Sequence, residues 1–161
     1  MTKRISILLM IVSVLIITLC SCSNKDNDLK VQPDVKKLKD DIIKSLTLPE
    51  MLDSSDETIE ISYSEIDLTK FDSYAFVAAG SPVSAEEVAV VKVKSSGDVD
   101  GVKAVFEDRV KDRASVFGGY APLEADKLNR AIIKTKGNYI FLAVCDEPEK
   151  AEKIFDDAFK Q

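Results

Sequence analysis

Near the end of the chain the pair Gly137-Asn138 leads into an unbroken apolar run, Ile140-Phe141-Leu142-Ala143-Val144-Cys145, and no other feature restricts the fold as strongly. A strand points successive side chains to opposite faces, so a strand apolar at every position needs cover on both. Residues 131–135 also read as a strand, and Gly-Asn suits a tight turn with positive φ. The run is therefore the second arm of a hairpin. It is expected inside a sheet, with the first helix of the chain behind it.

The rest of the pattern supplies a second hairpin and the helices to cover both. Residues 74–79 and 87–94 are strand-like around Gly80-Ser81-Pro82, which predicts an antiparallel pair. Pro33 and Asp34 open an amphipathic helix whose stripe is Val35, Leu38, Ile42 and Leu46, and Pro49 ends it. Residues 100–117 have helical period and stop at Gly118-Gly119, the expected C-cap. Pro122 starts a short helix through Leu128, and Ala151, Ile154, Phe155, Ala158 and Phe159 share one face of a last helix. In the stretch between the first helix and the first hairpin, Thr58-Ile59-Glu60-Ile61-Ser62-Tyr63 alternates like a strand and residues 67–71 look like a turn. The order predicts an α+β domain of two layers, a mainly antiparallel sheet of about four strands with helices packed on it. With 161 residues, 45% of them hydrophobic, one such domain holds its core without disulfides or metals.

The N-terminal segment has a different character. Lys3 and Arg4 precede a 15-residue apolar stretch, residues 5–19, broken only by Ser6, Ser13 and Thr18. That is short for a membrane span and reads as a signal peptide. The following Leu19-Cys20-Ser21-Cys22 resembles the bacterial lipobox, a small residue before the cysteine and a leucine three positions ahead of it. The resemblance implies cleavage before Cys22 and diacylglyceryl attachment to its sulfur, so that two acyl chains anchor the protein. Residues 1–21 are then the lipoprotein signal peptide, 22–33 the acylated Cys22 and a polar tether, and 34–161 a single domain on the outer face of the cytoplasmic membrane. Processing removes Lys3 and Arg4 and no acid, so 20 basic against 28 acidic residues leave a charge of −8. Such a domain repels nucleic acid and anionic headgroups, and it is expected to meet the membrane through the anchor alone. Cys145 would be the one cysteine of the folded part, a buried thiol acting as a small hydrophobe.

Histidine is absent, which excludes Ser-His-Asp and Cys-His catalysis and His-ligated zinc. No phosphate-cradling glycine loop is present, and no cofactor is expected. Ser96, Asp98, Asp100, Gly101 and Glu107 fall at positions 1, 3, 5, 6 and 12 of an EF-hand loop. However, the first ligand would be serine and Lys103 stands where an apolar residue belongs. Asp98 and Asp100 are better explained as acids at a helix start, and no metal site is expected. On a helical wheel Val102, Val105, Phe106, Val110, Val116 and Phe117 share one arc with Arg109 and Arg113. A buried guanidinium must be paired. The expected partner is Glu86, Glu87 or another acid, with Arg109 mattering more than Arg113 near the helix end. The functional alternative is a ligand site, in which Arg109 and Arg113 clamp a carboxylate or phosphate beside Tyr120.

Glu86-Glu87-Val88-Ala89-Val90-Val91-Lys92, then Glu107-Asp108-Arg109-Val110, Phe117, Tyr120-Ala121-Pro122 and Lys136-Gly137-Asn138-Tyr139 resemble, in that order and spacing, a family of small lipoproteins of Clostridium-like bacteria known as a domain of unknown function. The resemblance covers roughly residues 34–160 and departs at Arg113, where the family pattern has Gln. It implies a Gram-positive surface lipoprotein and brings no activity. The expected function is a non-catalytic binding or accessory module of the cell envelope, taking a protein partner or a small anionic ligand. The alternative is a small cell-wall hydrolase working through carboxylates, since a catalytic acid pair is recognised only by geometry.

Overall fold

A computed structural model of the chain describes residues 29–160; the expected signal peptide of residues 1–21 and the lipidation candidate Cys22 lie outside them. The apolar run becomes β5 (Tyr139–Val144), buried at every position. It pairs antiparallel with β4 (Ile132–Lys136) on one side and with β3 (Glu87–Val93) on the other. Gly137 takes the hairpin turn with φ of 54°, a conformation glycine adopts at no steric cost. β3 in turn pairs with β2 (Phe71–Ala79), and β2 with the short β1 (Met51–Asp53). The sheet is antiparallel throughout, in the order β1-β2-β3-β5-β4. The α+β class thus stands, with five strands in place of about four.

Helices pack on both faces, a second helical layer beyond the two-layer expectation. On one face, Val88, Val90, Phe141 and Ala143 meet α1 (Val35–Ser45) and α5 (Pro148–Asp157). Phe155 of α5 stacks on Phe141 with centroids 4.9 Å apart. Cover from behind β5 therefore comes from the last helix, while α1 lies mainly over β2 and β3. On the other face, Ala89, Val91, Ile140 and Leu142 meet α2 (Asp56–Ser62), α3 (Val99–Gly118) and α4 (Pro122–Asn129). Among the described residues no helix is long and apolar enough to cross a membrane.

The ambiguous stretch Thr58–Tyr63, which alternates like a strand, lies in the helix α2 and its C-cap. Ser55 caps it, its hydroxyl accepting from the Thr58 amide at 3.2 Å, and Asp56 and Glu57 sit in the first turn where the helix dipole favours acids. Ile59 and Tyr63, four apart, are buried, whereas Ile61 is 77% exposed. A helix face is what separates the three. β1 escaped notice because three residues at a sheet edge, only Met51 partly covered, carry no periodic signal.

At the ends of α3 one expectation changes and the other holds. Asp98 precedes α3 but makes no capping bond; its carboxylate lies 3.1 Å from Lys70. Glu107, twelfth in the EF-hand spacing, is bonded to Lys103 at 2.5 Å, and Ser96–Asp98 form a 3-10 turn. Gly119 is the C-cap of α3, in a right-handed conformation with φ of −78°.

Candidate functional site

Along β3 the side chains of Glu87, Ala89, Val91 and Val93 alternate onto the face covered by α3. The row is apolar except at Glu87, which ends it with a carboxylate only 3% exposed. A buried carboxylate is very costly without compensation, and three side chains from two elements supply it. Tyr63, at the end of α2, donates its hydroxyl to Glu87 Oε1 at 2.7 Å. From α3, Arg113 Nη1 donates to Glu87 Oε2 at 2.6 Å and Arg109 Nη2 donates to Oε1 at 3.4 Å. Each guanidinium also lies over an aromatic ring, Arg109 over Tyr63 at 5.2 Å and Arg113 over Phe117 at 5.3 Å. Burial, reinforced by the Glu87 charge, holds the Tyr63 hydroxyl well above the ordinary tyrosine range, so it stays a donor.

Arg113 continues outward. Its Nη1 donates to the Ala85 carbonyl at 3.0 Å and its Nη2 to that of Ser84 at 3.3 Å, which fastens the loop before β3 to α3. A second cluster fastens the same loop to α4. Lys127 bonds Glu86 at 2.6 Å and Glu124 at 3.0 Å, with Asp146 at 3.9 Å. Glu124 also accepts from the Ala85 amide at 2.7 Å. Burial acts to raise the Glu124 carboxyl, but the Ala85 amide and Lys127 outweigh it and hold it below the ordinary glutamate range. Burial likewise opposes charge on Lys127, and Glu86 and Glu124 overcome it, raising the amine.

The inward arginines are therefore brought together with Glu87, one of the acids expected as their partner. Their ranking is reversed. Arg113 makes three bonds, the shortest of them ionic, whereas Arg109 makes one long bond and its buried Nε has no partner. Arg113→Ala is expected to cost about 3 kcal/mol, because it strands Glu87, and Arg109→Ala about 1.5 kcal/mol, near the value of a charged hydrogen bond. Chemical denaturation of the two variants checks the order; a larger loss for Arg109→Ala would contradict it.

Tyr120 is not joined to this cluster. It is 56% exposed, its ring lies tilted against Phe117 with centroids 5.2 Å apart, and no hydrogen bond links it to either arginine. Val116, placed on the inward arc by the wheel, is 63% exposed. Cys145 is a free buried cysteine, and burial pushes its thiol up, which makes it a poorer nucleophile. Tyr63, Glu124 and Lys127 were not foreseen as members of the site. The only signals for them were the i, i+4 pair Ile59 and Tyr63 and the i, i+3 pair Glu124 and Lys127.

Chemically the arrangement locks charge in place. Glu86, Glu87 and Glu124 each meet a cation within hydrogen-bonding distance, and all the bonds of Arg113 go to the fold itself. No curated protein and no solved structure matches the chain. Residues 44–145 match the family described as Domain of unknown function (DUF4358), a stretch that contains all five strands and every residue of the Glu87 and Lys127 clusters except Asp146. The match spans more than half of the chain, which therefore belongs to that domain-of-unknown-function family.

Proposed function

We propose that the mature chain is a lipoprotein held on the outer face of the cytoplasmic membrane of a Gram-positive cell by a diacylated Cys22, and that its domain is a non-catalytic binding or accessory module of the cell envelope. The observation that carries the anchoring is Leu19-Cys20-Ser21-Cys22 directly after the basic start and apolar stretch. The polar Ser23-Asn24-Lys25-Asp26-Asn27-Asp28 that follows suits a tether, and the first core side chain, Val35, comes soon after it.

The non-catalytic reading draws on the charge locking. A carboxylate-dependent hydrolase needs an acid that can hold a proton near neutral pH. In this domain Glu124 is shifted the other way, and Glu86 and Glu87 are engaged in ion pairs with Lys127 and with Arg109 and Arg113. The acidic surface also disfavours nucleic acid as a partner.

The anchor is tested by labelling cells with a palmitate analogue and partitioning extracts into detergent. The wild type is expected to incorporate label and enter the detergent phase as a processed form. Cys22→Ala is expected to incorporate none and to accumulate as precursor. Equal labelling and processing in that variant would remove the lipoprotein reading.

A further inference from the structure

β4 is the last strand on its side of the sheet, and among the described residues no strand pairs with its outer edge. Which backbone groups are left there follows from the alternation. The Val93 amide donates to the Asn138 carbonyl on the β3 side, so Tyr139 turns its backbone the other way, to Lys136 of β4. Lys136, Lys134 and Ile132 therefore bond inward to β5. The N–H and C=O of Ile133 and Thr135 face outward. Beside Ile133 lies an open groove of about 550 Å³, whose walls include Val110, Ala114 and Leu128.

Lysine is a common guard of such an edge, and β4 carries two, both turned toward α5 and the residues after it. Lys134 is drawn aside by Glu152 Oε1 and Asp156 Oδ2, both at 2.7 Å, which leaves each carboxylate a second oxygen. Lys136 meets no acid among the described residues and lies over the Phe159 ring at 4.9 Å. The edge thus carries a free ammonium and, two residues away, two carboxylates that can each accept once more. That pattern is complementary to itself about a two-fold axis through Thr135. Antiparallel pairing there sets Lys136 of one copy opposite Lys134 of the other, beside its Glu152 and Asp156. Thr135 faces Thr135, a favourable cross-strand pair, and Ile133 faces Gly137, which has no side chain to collide with it. An axis at Lys134 would oppose the two Lys134 clusters, and one at Ile133 would set Lys136 against Arg130, like charges in both cases.

We propose that β4 pairs antiparallel with β4 of a second copy of this chain about that axis, joining two five-stranded sheets into one. The place where the chain leaves the domain fits this occupant. The Tyr139 hydroxyl donates to the Pro33 carbonyl at 3.1 Å, so the segment leading back to Cys22 departs beside the β4–β5 turn. By strand spacing Tyr139 lies about 8 Å from the axis. An axis normal to the sheet keeps Pro33 of both copies on the face covered by α1 and α5, so two anchors reach one bilayer without crossing the dimer. The charge of −8 opposes pairing of free copies, and confinement to one membrane offsets it by raising the local concentration. For that setting the inference rests on the lipoprotein reading proposed above.

The probe is Thr135→Cys in the full chain, oxidised mildly on the membranes of the cells that express it. Residues opposed in a hydrogen-bonded pair lie about 5.5 Å apart at Cα, within reach of a disulfide, and the native Cys145 is buried. Thr135→Cys is expected to link copies at least about tenfold more than Ser81→Cys, an exposed position in the β2–β3 loop, and Ile133→Cys to link no better than Ser81→Cys. Adding Lys136→Glu should cut the Thr135→Cys linkage at least about fivefold. With no substitution at all, the Thr135 amide of the chain in lipid vesicles is expected to exchange at least about tenfold more slowly at high protein density than at low, while Val90, inside the sheet, is unchanged. Palmitate labelling of the same membranes reads the anchor separately, so either reading can fail while the other stands. The pairing is overturned if Ser81→Cys or Ile133→Cys links as well as Thr135→Cys, if Lys136→Glu leaves the linkage unchanged, or if exchange at Thr135 does not respond to density.

Discussion

Glu87→Ala is expected to destabilise the domain by about 3–5 kcal/mol, the range for breaking a buried ion pair from one side. The loss is not the strength of any single bond. Without the carboxylate, two partly buried guanidiniums on one helix face each other with no anion between them, and the Tyr63 hydroxyl is buried with no acceptor. For a domain of this size that is a fall in Tm of roughly 12–20 °C. Glu87→Gln keeps the shape and one acceptor, and is expected to cost less, about 1–3 kcal/mol. Calorimetry on both variants, with Arg113→Ala and the double variant, measures the coupling directly; Glu87 and Arg113 should be coupled by about 2 kcal/mol or more. Additive losses would mean that the pair contributes nothing as a pair.

Phe106→Ala is expected to cost a comparable 3–5 kcal/mol. Phe106 is fully buried at the centre of the face under α3, with ring centroids 5.4 Å from Tyr63 and 5.9 Å from Phe76, which are themselves 5.1 Å apart. Truncation opens a cavity beside Tyr63 and Phe76, which meet edge to face and lose the third ring of the cluster. Phe106→Leu retains most of the volume and should cost under about 1.5 kcal/mol. Because Tyr63 belongs to both the aromatic cluster and the Glu87 site, Phe106→Ala and Glu87→Gln should be non-additive. Urea denaturation of the two singles and the double decides this. Independent effects would show that the ring cluster does not position Tyr63.

The two hairpins were legible because their signals are local. A Gly-Asn turn followed by an apolar run, and Gly-Ser-Pro between two alternating segments, act within a few residues and leave few alternatives. The same holds for α1 and α5, whose apolar stripes recur at helical spacing. Thr58–Tyr63 shows where local reading is ambiguous. Ile59, Ile61 and Tyr63 alternate like a strand, yet they also offer an i, i+4 pair, and six residues are too few for one period to exclude the other. The Ser55 cap and the space left under α3 select the helix.

For the candidate site the chain itself set the problem, and the packing of its elements set the answer. Two arginines on the apolar arc of α3 oblige the fold to find them a counter-charge, whatever the topology, because a buried guanidinium without one is too costly to persist. That it is Glu87 depends on β3 lying under the end of α3, a contact between residues 22 and 26 positions apart. The Lys127 bond to Glu86 spans 41 positions. Val116 is 63% exposed although its neighbour Phe117 is buried, a difference set by what packs around the last turn of α3, which no helical wheel contains. The open edge of β4 is likewise invisible in the residues that form it. It exists because β4 is the last strand on its side of the sheet, and backbone groups are left over only once every strand has taken its neighbour. Periodicity is a property of neighbouring residues and is written along the chain, whereas pairing and exposure belong to surfaces that come into being only when distant segments meet.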